Sequence, residues 1–223
     1  MIPPGYKTAK AVLRLGREAF FGTATADLPT GRSTILQQDD LTPQFGYVGE
    51  RYAKTRVLVL GINPGNGPFD DVRTPEDEMM MPAQRRFAAQ PSPRIFEAAT
   101  TEYKTQCQHW HVWTRHCAEI VGAGKLGLED IAYSNRLPWR TASQSKFSDF
   151  VAEKTIQLYV LPLIEELKPK LIIALGKRVS QILQMVPGPL PQVIIWNRAR
   201  AATAAVRQQR AASAERIFQA LSR

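Results

Sequence analysis

The stretch Arg56-Val57-Leu58-Val59-Leu60-Gly61-Ile62-Asn63-Pro64-Gly65-Asn66-Gly67-Pro68-Phe69-Asp70 decides how the rest of the chain is read. Its first half is a short, uninterrupted apolar run rich in valine. That is the pattern of a strand buried on both faces, not of one alternating between core and water. In its second half, Gly61, Gly65 and Gly67 let the backbone turn sharply and approach a ligand, while Pro64 and Pro68 stiffen the loop. A doubly buried strand needs neighbours. The sequence offers three more candidates: Ile131-Ala132-Tyr133-Ser134, Leu171 to Gly176, and Gln192 to Trp196.

Helical patterns lie between and after these strands. One covers 101–121, with Tyr103, Cys107, Trp110, Trp113, Cys117 and Ile120 at spacings of three and four. A second covers 147–167 with a bend expected at Pro162, and a third covers 177–185. The last covers 203–221, with Ala214, Ile217, Phe218 and Leu221 as its buried stripe. Apolar strands alternating with helices imply an α/β fold with a parallel sheet covered on both faces. Ligands of such sheets sit at the carboxyl ends of the strands. Segments 61–71, 135–141, 176–177 and 197–200 are therefore expected to converge on one rim.

Upstream, residues 1–55 read as an N-terminal extension packed on the core, and 56–223 as the principal domain. A helix is expected over 7–21, with Ala11, Val12, Leu15, Ala19 and Phe20 on one side. The run from Pro75 to Pro82 reads as a loop near the pocket mouth. No internal repeat is visible, and 223 residues suit one domain of ordinary to large size.

Hydrophobic residues make up 44% of the chain, in keeping with a globular core. No apolar run reaches the roughly 20 residues that span a bilayer, and the first residues lack the apolar segment of an export signal. Two cysteines make no disulfide framework. The expected setting is a reducing cytoplasm, with nucleoid association in a prokaryote, and no membrane partner. The formal charge is +9, and it is lopsided: from Gly176 onward eight cations face the single carboxylate of Glu215. A one-sided basic segment attracts polyanions, of which nucleic acid is the commonest.

At the expected rim, Gly61 to Gly67 is neither a Walker loop nor a dinucleotide fingerprint, because the spacing is wrong and no Gly-Lys-Ser/Thr follows. Asn63 ends the first strand and is placed to orient a water or a base edge. Asn135 ends the second, before Arg136-Leu137-Pro138-Trp139-Arg140. An Asn amide carries donors and an acceptor, so it matches the mixed edge of a uracil-like base. Asn197, Arg198 and Arg200 open the last helix, where guanidiniums reach phosphates or enter a groove.

Together these segments resemble the uracil-DNA glycosylase superfamily. Gly61-Ile62-Asn63-Pro64-Gly65 resembles the Gly-x-Asn-Pro-Gly motif of its mismatch-specific, thymine-DNA-glycosylase-like branch. Tyr133-Ser134-Asn135 with Leu137-Pro138-Trp139-Arg140 is similar to the superfamily's strand-end Asn and the turn after it. The helix, Lys168-Pro169, strand and Gly176-Lys177 follow the family's order, and Asn197 to Arg200 sits where the family carries its DNA-wedge loop. The resemblance covers roughly residues 56–223.

It implies a three-layer α/β/α fold with a four-stranded parallel sheet in the order 2-1-3-4. It also implies cofactor-free and metal-free hydrolysis of the bond between a damaged or mismatched base and deoxyribose, with the base flipped into the pocket. The implied catalytic residues are Asn63, for the water, and Asn135. The base-binding set is Gly61, Ile62, Pro64, Gly65, Phe69 and Asp70, with Phe69 stacking on the base and Phe87 in reserve. The DNA-binding set is Arg136, Arg140, Lys177, Asn197, Arg198 and Arg200. Asp70 and Asp71 are alternative groups for activating water. With Cys107 and Cys117 the only cysteines, the branches with four-cysteine iron–sulfur clusters do not fit.

Other groupings carry less. Cys107, His109, His111, His116 and Cys117 fall within eleven positions, but on a helix the thiols take the tryptophan-lined side and His111 points elsewhere, so no metal is expected. Two alternatives to the glycosylase stand. One is a non-catalytic nucleic-acid-binding member of the same fold. The other is a protein acting on a free nucleoside or nucleotide, against which the basic C-terminal segment argues.

Overall fold

The apolar run that opens the sequence reading is a strand with every residue buried, Val57–Gly61, near the middle of a five-stranded sheet. The computed structural model describes residues 2–21, 42–62, 75–109, 116–139, 149–199 and 203–222. Its strands are β1 (Tyr47–Val48), β2 (Val57–Gly61), β3 (Ile131–Asn135), β4 (Leu171–Leu175) and β5 (Gln192–Trp196), ordered β1-β3-β2-β4-β5 across the sheet. All neighbours are parallel except β1, which pairs antiparallel with β3. The register sets Gly61 opposite Asn135 and Leu175 opposite Trp196, so β2 to β5 finish along one rim.

The expected four-stranded sheet is thus corrected to five. The missed strand, β1, is two residues long and shows no periodicity. What identifies it is a close approach: Gly46 has φ +78°, and a Cβ there would stand 1.9 Å from the Tyr133 carbonyl oxygen. Only glycine allows both the backbone angle and the contact.

Period-2 alternation sorts the strand side chains onto two apolar layers. Leu58, Leu60, Ala132, Ile172 and Ala174 face one layer, and Val57, Val59, Ile131, Tyr133, Ile173, Leu175, Ile194 and Trp196 face the other. Helices cover both. They are α1 (Tyr6–Leu15), α2 (Glu18–Phe21), α3 (Tyr52–Thr55), α4 (Pro75–Ala89), α5 (Pro93–Cys107), α6 (Ala118–Ala123), α7 (Asp149–Thr155), α8 (Leu161–Leu167), α9 (Lys177–Gln184) and α10 (Ala204–Leu221). The first layer takes side chains from α1, α7, α8 and α9, and the second from α6 and α10. The pair α4 and α5 gives Phe87, Phe96 and Ala99 to the first and Met80, Met81, Tyr103 and Cys107 to the second. No helix among the described residues is long and apolar enough to cross a membrane.

Several element boundaries move. The helix expected over 7–21 breaks at Gly16, whose φ of +71° turns the chain. Val12 and Phe20 are buried, but Ala11 and Leu15 are exposed. Residues 1–55 divide: α1 packs in the main core, tied down by the Glu166 carboxylate, which accepts from Gly5 N–H at 2.9 Å and from the Thr8 N–H and hydroxyl at 2.8 and 2.7 Å. Tyr47 and Val48 join the sheet itself.

The loop expected over 75–82 is instead the first half of α4. A proline at the first helical position followed by Glu76, Asp77 and Glu78 is a helix start, favoured by the macrodipole, and Met80 and Met81 are buried. The helix expected over 101–121 begins earlier, at Pro93, where the Ser92 hydroxyl accepts from Ile95 N–H. It stops at Cys107; α6 is separate, and 110–115 lie outside the described residues. Ahead of Pro162 the chain makes a π-helical turn over Ile156–Val160. Proline offers no N–H to the carbonyl four residues before it, and the wider turn accommodates that loss. In α10 the buried residues are Ser213 and Ile217, while Phe218 is exposed beneath the Lys125 ammonium.

Candidate functional site

At the ends of β2 and β3 the backbone is locked before it leaves the sheet: Arg136 N–H donates to the Gly61 carbonyl at 2.9 Å, and Leu137 N–H to the Ile62 carbonyl at 3.3 Å. Asn135 points to the second apolar layer, with 2% of its surface exposed. Its Nδ2 donates to the Tyr103 hydroxyl at 3.4 Å. Its Oδ1 lies over Gly61, so close that a Cβ at that position would stand 2.3 Å away. The glycine at residue 61 is therefore space for an amide. One N–H of Asn135 is held by Tyr103, and among the described residues the second N–H and the carbonyl oxygen form a donor–acceptor pair with no side-chain partner.

Under the amide lies a bed of tyrosines. The rings of Tyr47, Tyr103 and Tyr133 stand 6.2 to 6.5 Å apart, and the Tyr133 hydroxyl is 3.1 Å from where a Cβ on Gly61 would sit. Burial raises the Tyr133 and Tyr47 hydroxyls well above the ordinary phenol value, with the nearby Cys117 and Cys107 adding to the rise. They remain neutral hydrogen-bonding groups across the physiological range. On the opposite side of β3, the Ser134 and Tyr159 hydroxyls share a hydrogen bond of 2.7 Å, and both reach the Phe45 carbonyl.

The basic residues behave differently. Arg136 is almost wholly buried, and its guanidinium is pushed down to about 10, first by burial and then by the Arg178 charge. It is still a cation at neutral pH. Lys177 is exposed at the start of α9, directly after Gly176, whose φ is +98°. Asn197 serves the loop: its Oδ1 accepts from Ala199 N–H at 2.8 Å, and its Nδ2 donates to Gln209. Arg210 ties the same segment to α10 through the Asn197 and Ala199 carbonyls, at 3.0 and 3.1 Å. Arg198 is held between these ties. Its Cδ is 3.9 Å from where a Cβ on Gly176 would be, and its charge bears on Tyr133 and Cys117.

Of the residues singled out in the sequence, the rim thus brings together Gly61, Ile62, Asn135 and Arg136 at one end, and Lys177, Asn197 and Arg198 at the other. Asn63, Pro64, Gly65, Phe69, Asp70, Asp71, Arg140 and Arg200 lie outside the described residues. Phe87 is corrected. It is 1% exposed and packs against Tyr6, Phe45 and Phe96 at ring distances of 5.0 to 6.3 Å, so it is a core side chain and not a platform for a base.

Tyr103 was legible only as a member of a helical stripe; nothing in the stripe marks it as the partner of an amide on β3. Cys107 and Cys117 are both buried thiols, raised by desolvation. Among the described residues, no three of His, Cys, Asp and Glu gather into a set that would hold a metal ion.

Neither models of known protein families nor curated proteins give a match to this chain.

Proposed function

We propose that this chain is a monofunctional DNA glycosylase that hydrolyses the N-glycosidic bond of uracil, or of a related deaminated or mismatched base, in DNA. The observation that carries the reading is the Asn135 amide. Tyr103 holds one of its N–H groups, Gly61 makes room for its oxygen, and the donor–acceptor pair left over matches a uracil-like lactam edge. The parallel strands, without the two-residue edge strand, stand β3-β2-β4-β5, which is compatible with the order the resemblance implies. The cations Lys177 and Arg198 on the same rim support DNA as the polymer.

In this reading the base leaves the stack, at least cost when it is mispaired, and is received at the carboxyl ends of β2 and β3. The oxygen of a water attacks C1′ of the deoxyribose as the C1′–N bond breaks, and the bonding pair goes to the base. The water's second proton passes to solvent or to the departing base, leaving an abasic sugar. The growing negative charge on the base is met by the Asn135 N–H and by backbone N–H groups near Ile62. A single such oriented donor is worth about 100- to 1,000-fold in rate. Asn63 is assigned to the water. An amide is no base at neutral pH, so it positions more than it deprotonates, and slow turnover follows.

The test is incubation with labelled duplexes carrying U:G, U:A, T:G, hypoxanthine or xanthine, with EDTA present, for the wild type and Asn63→Ala. Release of free base by the wild type, reduced at least about 100-fold in the variant, is expected. No release from any duplex, with DNA binding intact, overturns the catalytic reading in favour of a binding protein of the same fold.

A further inference from the structure

Beside the rim, along the outer edge of β5, lies a cleft of about 540 Å³ bounded by the start of α9, the 197–199 segment and one face of α10. Lys177, Arg198 and Arg216 line it, and among the described residues no carboxylate does. Among the described residues, these three cations make neither an ion pair nor a side-chain hydrogen bond. The groups around them do. Arg210 is engaged by the Asn197 and Ala199 carbonyls and faces Glu119 at 3.8 Å. The Ser213 hydroxyl donates toward the Ile195 and Gln209 carbonyls, both at 3.0 Å, pinning α10 to β5.

The walls are therefore tied together by hydrogen bonds, while the charges on them have no counterion among the described residues. Three like charges around one concavity repel, and the arrangement favours an anion with several negative groups. Among the described residues no aromatic ring lines the cleft, so a base has nothing to stack on, and Ile195, Ala199 and Ala212 supply apolar surface between the charges. Sugar and phosphate match such a surface; a nucleobase does not.

From this we propose that the edge cleft binds the phosphodiester backbone of a nucleic-acid strand, with Lys177, Arg198 and Arg216 as its phosphate contacts. This rests on reading the rim as a nucleic-acid face, and it extends that face past the sheet edge onto α10. Arg216 is the residue that separates the two ideas, because it lies on the last helix and has no part in the Asn135 pocket.

The experiment is fluorescence anisotropy with a labelled, undamaged duplex across a salt series, using the full chain. Wild-type affinity falls with salt, and Arg216→Ala lowers the slope of log affinity against log salt by about 0.9, the value for one phosphate contact. Arg216→Lys retains the slope, and Arg14→Ala, on α1, leaves it unchanged. An unchanged slope in Arg216→Ala, with circular dichroism identical to wild type, overturns the proposal. So does displacement of the duplex by a deoxynucleoside monophosphate at equal phosphate concentration, which assigns the cleft to a free nucleotide.

Undamaged DNA keeps the two readings apart. A protein that shows this slope but releases no base keeps the cleft and loses the glycosylase assignment. One that releases base while Arg216→Ala binds normally keeps the assignment and loses the cleft.

Discussion

The two ends of the rim solve opposite problems with the same sheet. At β2 and β3, the Asn135 amide is buried on tyrosines, aimed by its hydrogen bond to Tyr103 and by the absence of a Cβ on Gly61. Beside β4 and β5, Lys177 and Arg216 are exposed and Arg198 half-buried around a cleft, and the backbone of the 197–199 segment is held by Arg210. A hydrogen bond gains strength and direction in a low-dielectric site, so an atom-by-atom readout belongs in the buried end. Attraction to a phosphate backbone acts over a Debye length of about 8 Å at physiological salt and needs no burial, so it belongs at the open end. On the proposed reading, the difference makes recognition of a base and grip on a polymer separable.

Substitutions that break one end and spare the other test this, and Gly61→Ala has the largest expected effect. Its Cβ meets the Asn135 oxygen at 2.3 Å, so the amide must leave its position. Base release then falls about 100-fold, the loss of one oriented donor, while the salt slope for undamaged DNA stays at the wild-type value. Tyr103→Phe removes the hydrogen bond at 3.4 Å that aims Asn135. At about 1 kcal/mol it lowers base release roughly fivefold, again without changing DNA binding.

Arg198→Ala is the mirror image: it reduces the salt slope by about 0.9, and single-turnover release at saturating protein is retained. The smallest effect sits at the far end of the strands and touches neither function. There Arg51 donates to both oxygens of Asp130 at 2.7 and 2.8 Å and holds its carboxyl below the usual range. A carboxyl lowered in the folded state adds stability above its unfolded value of about 3.9, and that contribution is lost as pH falls through the folded value. Asp130→Asn therefore shifts the urea midpoint down at neutral pH, and the gap to wild type closes in strong acid.

The sequence carried most of the fold because its signals there are local. Four short apolar runs marked β2 to β5 within a residue or so, and the Lys168-Pro169 helix stop stood where α8 ends. The elements it hid depend on distant contacts. β1 exists because Gly46 lets two backbones touch, and α4 reads as a loop until the acidic turn after Pro75 is taken as a helix start.

At the site, Asn135 was legible from its place at a strand end, and Arg198 from the charge around it. The Tyr103 bond to Asn135 joins residues 32 apart in sequence, and no spacing rule reaches that far. Phe87, the reserve for stacking on the base, misled for the converse reason: an aromatic downstream of a loop is equally a core residue, and packing alone tells them apart. Arg216 gave no local sign, since its significance lies in facing Lys177 and Arg198 across the edge of β5.

The most direct measurement is base release and DNA binding by Asn135→Ala, followed together on one labelled U:G duplex. The account predicts that release is lost by about 100-fold or more while affinity and its salt slope remain those of the wild type. Release at the wild-type rate, or loss of binding in step with release, would contradict the division of the rim into a base-reading end and a backbone-gripping end.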